Sequence, residues 1–193
     1  MASFTDSIST SCTTTSHTGE NIIVSQGVII LYSDIKDVSS LPHAENGALI
    51  DLAYVVSYAH LESALYKVRH NQEKKGHMAT NSNTNTLSSH ICYALSSSKN
   101  IPDTQKKYLP SATTSSAAYV LINPTDEYVN TLRNTIAAQT LAVEVTDPHF
   151  VTSLMTPEKV SELTAVFKIS PHELKIGSLE DAILMKVAVK EIV

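Results

Sequence analysis

Cys92 and the triplet Asp147-Pro148-His149 carry the chemistry this sequence could most directly offer. A thiol attacks as its thiolate, which an imidazole can stabilise, so Cys92 with a distant histidine would make a nucleophilic pair. Asp147 and His149 set an acid and an imidazole two positions apart in a strand-exit loop, where catalytic groups are often displayed. Either set would serve a small hydrolase or transferase that needs no cofactor. The competing reading of the triplet is a plain turn, because Asp-Pro initiates turns, and it is the favoured one. Serine, at 24 residues, is too abundant for a Ser/His/Asp arrangement to stand out, and no Gly-x-Ser-x-Gly elbow occurs. No catalytic residue is assigned.

Eight histidines raise the question of a metal: His17, His43, His60, His70, His77, His90, His149 and His172. Zinc-binding helices place two histidines four apart so that both imidazoles leave one face, and no pair here has that spacing. His60 and His70 stand about 280° apart round a helix. His90-Ile91-Cys92 brings two soft ligands together but falls short of the three or four that a site needs. His60 lies inside an apolar stripe and reads as a hydrogen-bonded core residue. No metal ligand is assigned.

Phosphate-cradling loops need closely spaced glycines, and the five glycines at 19, 27, 47, 76 and 177 are scattered. That excludes the common nucleotide-dependent enzymes, and no cofactor is expected. Nucleic acid is an unfavoured partner too, because there are only two arginines, Arg69 and Arg133, and the net charge is −5. The basic cluster Lys67 to Lys75 contains Glu73 and reads as a solvated helix end. The eight tyrosines mostly sit within apolar patterns, as core or interface residues do.

The elements that would position these residues follow from periodicity. Asn21 to Tyr32 is β-branched and bulky, with Gly27 between two clusters, and reads as one bent strand or a short hairpin. Asp34 to Asn46 reads as a loop or a short helical turn. A long helix is expected from Glu45 to Lys75, since Leu49, Leu52, Val56, His60, Ala64 and Val68 recur at spacings of three and four. Its basic end suits the helix dipole, and Gly76 offers a stop. Ala79 to Ser89 reads as an exposed loop, followed by a short helix through Ile91 and Leu95.

Residues 96–116 read as polar, with Pro102 and Pro110 breaking any helix. Ala117 to Ile122 is a buried strand, and Asn123 to Glu127 is a helix start. Leu141, Val143 and Val145 alternate as a half-buried strand would, which completes a small β-α-β pattern. Three caps mark three C-terminal helices: Thr156-Pro157-Glu158, the box Ser170 with Glu173, and Ser178-Leu179-Glu180-Asp181. The last begins at Leu179, and residues 185–193 fit a helix or a strand.

Residues 1–20 hold eleven serines and threonines and two charges, too little apolar surface to offset ordering, so they read as a flexible arm. The expected architecture is a helix-rich α+β domain over 21–193 behind that arm, within a chain of 193 residues. No apolar run is long enough to span a membrane, no secretory signal is seen, and two cysteines make no disulfide framework. The expected location is intracellular and cytoplasmic, or within a viral particle. Missing catalytic and cofactor motifs, polar segments between apolar elements, and an arm before a domain point to a non-enzymatic structural or interaction protein. Its expected partner is itself, as a homo-oligomer, or another protein, and an arm of this kind fits a viral coat-type subunit.

Overall fold

The chain's computed structural model describes residues 27–75 and 86–190, except for the side chains of 73–75. The expected arm at 1–20 and the approach at 21–26 lie outside the described residues, as do Cys12, His17, Gly76 and His77.

The β-branched run after Gly27 forms β1 (Gly27–Ser33), flanked by β3 (Ala117–Ile122) and β4 (Val143–Val145) and antiparallel to both. β2 (Gly47–Asp51) pairs with the other side of β3, which gives the order β2-β3-β1-β4. All six residues of β3 are buried, as an unbroken apolar run in a strand covered on both faces should be. Alternation sends Ala118, Val120 and Ile122 into one core and Ala117, Tyr119 and Leu121 into the other. The first core is closed by α1 (Tyr58–Lys75) and α2 (Leu87–Leu95), the second by Val129, Leu132 and Ile136 of α4 (Asp126–Gln139). The expected α+β, helix-rich architecture is therefore the one observed.

The helix expected over Glu45 to Lys75 forms only in its second half. Gly47–Asp51 is β2, and a 3-10 turn at Leu52–Tyr54, capped by the Asp51 carboxylate, leads to α1. The threefold and fourfold spacing of Leu49, Leu52 and Val56 imitates a helix, but Ala48 and Ile50 face one core while Leu49 faces the other. Long-range pairing with β3 decides the matter, and Gly47 permits it: a Cβ there would run into the carbonyl oxygen of Val120.

Residues 96–116 also differ from expectation, since α3 (Ile101–Tyr108) forms there and contains Pro102. Pro102 occupies the first turn, where no N–H is needed, and Pro110 follows the end, so both punctuate the helix rather than break it. Of the loop expected at Ala79 to Ser89, residues 79–85 lie outside the described residues and 87–89 are helix, since Thr86 caps α2 by accepting from the Ser89 N–H at 3.3 Å. β3, α4 and β4 make the β-α-β unit, with β1 between the two strands. Leu141 and Val143 are 79% and 53% exposed, so the strand expected there is shorter and more open than its alternation suggests.

Thr156 caps α6 (Pro157–Val166), after the short α5 (Phe150–Ser153). Ser170 and Glu173 exchange hydrogen bonds of 2.7 and 3.3 Å at the head of α7 (Glu173–Ile176). Ser178 and Asp181 form the capping box of α8 (Leu179–Val189), which settles residues 185–189 as helix. α6 ends with Lys168 at φ 53°, its N–H bonded to Ala165 and that of Ile169 to Thr164, a Schellman closure made without glycine. Leu163, Phe167, Ile183 and Val187 of this C-terminal region pack on Val56 as a third core.

Candidate protein-docking face

Cys92 sits on α2 with no exposure, and burial pushes its thiol up to about 12. It stays protonated and inert at ordinary pH. His60 is equally buried, and its Nε2 donates to the Leu95 carbonyl at 2.9 Å, as expected of a core histidine. The Tyr108 hydroxyl donates to that same oxygen at 3.1 Å. Lys190 Nζ donates to the Ser96 carbonyl at 2.6 Å and to that of Tyr93, whose ring it also covers at 3.6 Å. Donors from α1, from α3 and from Lys190 just past α8 thus converge on carbonyls at the C-terminal end of α2, where a helix runs out of its own donors. Burial drives the His60 imidazole down to about 4, and the nearby Lys190 charge pushes the same way. A neutral imidazole in this role is structural.

Asp147 and His149 make the turn, not the pair. The Asp147 carboxylate accepts the main-chain N–H of His149 at 2.9 Å, so it is engaged with backbone rather than with the ring. His90 is half-buried beside Cys92 in sequence, and among the described residues no three His, Cys, Asp or Glu side chains form a metal-holding group. Lys67, from the basic cluster, donates to the Val187 carbonyl of α8 at 3.4 Å and so reaches the neighbouring helix.

The feature that periodicity did not single out is α8. Its sequence, Leu-Glu-Asp-Ala-Ile-Leu-Met-Lys-Val-Ala-Val, is apolar after the first turn except for Lys186. Such a helix is normally buried all round. Here Ile183 and Val187 face the core, while Met185 is 64% exposed and Ala188 lies exposed one turn on. α7 packs beside it, tied by the Lys186–Glu173 pair at 2.9 Å, and leaves Leu174 and Ile176 at 41% and 77% exposure. Three of the large apolar side chains exposed among the described residues therefore belong to one helix pair. Exposed apolar side chains on two adjoining helices make this pair the candidate docking region. The composition of α8 was the available signal: Ile183 and Val187 fill the core, Leu179 and Ala182 pack at its edge, and Met185 and Ala188 stay exposed among the described residues.

Residues 32–191 match the family model described as kinase binding protein CGI-121. The chain belongs to that family. It is also 28% identical over 168 residues to the EKC/KEOPS complex subunit TPRKB of Danio rerio, a match that spans 84% of this chain and 90% of that protein. This membership overturns the expectation of a self-associating, viral coat-type subunit. That expectation rested on an arm preceding a domain, which is architecture shared by many unrelated functions. Among the described residues no helix of this CGI-121 family member is long and apolar enough to cross a membrane.

Proposed function

We propose that this chain is a non-catalytic subunit of a multiprotein assembly that binds a protein kinase, and that the α7–α8 face is where the kinase docks. The observation that carries the reading is the family match over residues 32–191, whose description is that of a kinase binding protein. The relative from Danio rerio, described as a complex subunit, supports a role inside an assembly. The burial of Cys92 and the main-chain engagement of Asp147 argue against the hydrolase or transferase alternative. Met185 suits a docking face, because an unbranched thioether adapts to a partner's contour. On this reading the protein works inside the cell, where a kinase has ATP.

The test begins with the full chain, tagged and purified from its own cells, and the kinase that accompanies it. The two proteins, purified separately, are then mixed. They are expected to co-elute, with amide hydrogens of α8 slowed in exchange on complex formation. Absence of a complex, or protection confined to other elements, would contradict the reading.

A further inference from the structure

We propose that the open edge of β1 receives an extended segment of a protein partner, which joins the sheet in line with β4. This site is separate from the α7–α8 face and does not depend on the kinase reading.

Register shows which groups are on offer. The Ile122 N–H donates at 2.7 Å to Asn46, on the β2 side of β3. Alternation then directs residues 117, 119 and 121 of β3 at β1, and turns Gly27, Ile29, Leu31 and Ser33 of β1 away from β3. β4 meets only Leu31 and Ser33 of these. The N–H and C=O of half-buried Ile29 face no strand among the described residues. β4 ends there because Asp147-Pro148 turns away: the Asp147 carbonyl accepts from Phe150 at 3.1 Å, and Pro148 has no N–H to continue a ladder. The triplet first considered for acid–base chemistry is thus what opens the edge.

A groove of about 390 Å³ runs along this edge. Ile29, Val145 and Pro148 contribute to its lining, as does Val129 from α4. Unpaired main-chain groups call for a main-chain partner, which a helix cannot supply and an extended segment can. Apolar walls then take its alternate side chains.

Charge narrows the occupant further. Arg133 is committed to Glu144 at 2.9 Å, whereas Asp126, also at the groove, has no ion-pair partner among the described residues. Asp126 opens α4 four residues after Ile122, the partner of Gly27, so the acidic end of the groove lies at the start of β1. A segment antiparallel to β1 reaches that end with its C-terminal residues. The partner segment is therefore apolar at alternate positions and carries a lysine or arginine towards its C-terminal end.

The test titrates the isotope-labelled full chain with the peptide acetyl-Thr-Val-Thr-Val-Thr-Lys-amide, up to about 1 mM, the weak end of specific binding. The expected result is a shifted and exchange-protected Ile29 amide. Peptides N-methylated at alternate residues, tried in both phases, should bind about tenfold more weakly in the phase that removes the pairing N–H groups. Asp126→Asn should weaken the lysine peptide about threefold, as loss of an exposed ion pair does. An unperturbed Ile29 amide, or equal affinity for every methylated peptide, would overturn the proposal. So would binding that appears only after residues 1–26 are removed, because the chain's own N-terminal segment would then be the occupant.

Discussion

Strand β3 and helix α8 are both written in apolar residues, yet they use them differently. β3 lies at the centre of a sheet covered on both faces, and all six of its residues are buried. α8 lies over one side of the domain, and of its eleven residues only Ile183 and Val187 are buried. The apolar surplus of β3 is consumed by the fold. That of α8 is left at the surface, where Met185 keeps 64% exposure. Hydrophobicity therefore tells which residues leave water, and the number of covered faces tells whether the domain itself or a partner receives them.

The contrast breaks first if core and surface respond alike to truncation. Leu121→Ala in β3 should cost about 2–5 kcal/mol in denaturant unfolding, the usual range for a buried leucine. Met185→Ala should change stability by no more than about 0.5 kcal/mol. Comparable losses at both positions would show that α8 is buried on its outer side too.

A second measure follows from His60. Its imidazole titrates at about 4 in the fold against an ordinary 6.5, so the unfolded chain takes up the proton first as pH falls. The stabilising contribution is complete above pH 6.5 and lost between 6.5 and about 4, roughly 3 kcal/mol in all. His60→Phe should flatten that part of the stability–pH curve relative to the unsubstituted chain. Lys190→Met, which removes the ammonium from the Tyr93 and Ser96 carbonyls, should cost about 1–3 kcal/mol at pH 7. One further effect has the opposite sign. Lys168→Gly should stabilise by about 1 kcal/mol or less, because Lys168 holds φ 53° at the end of α6.

Much of this architecture is legible in the residues themselves. Caps at Thr125, Thr156 and Ser178 act over three residues, so short-range chemistry fixes them. The buried run Ala117 to Ile122 has no reading but a covered strand. β2 was not legible, because its pattern matches a helix until Gly47 is seen against Val120, seventy-odd residues away in the chain. Pro102 was read as a breaker because its effect depends on where the helix begins, and Asn100 sets that start without a side-chain cap bond. His60 as a core residue and Asp147-Pro148-His149 as a turn were both readable. The docking face was legible only in part: the apolar composition of α8 is visible in the sequence, but which of its sides stays exposed depends on how the C-terminal helices lie over Val56.

Kinase binding by the outer face of α8 is tested most directly by one affinity comparison. The full chain, Met185→Glu and the control Leu141→Glu are each titrated with the purified kinase. Leu141 is 79% exposed beside β4, away from the proposed docking helices in the chain, so it matches Met185 in exposure without sharing its role. The predicted result is a loss of at least about tenfold, or 1.4 kcal/mol, for Met185→Glu, with Leu141→Glu unchanged and both variants folded. Full affinity in Met185→Glu would contradict the account.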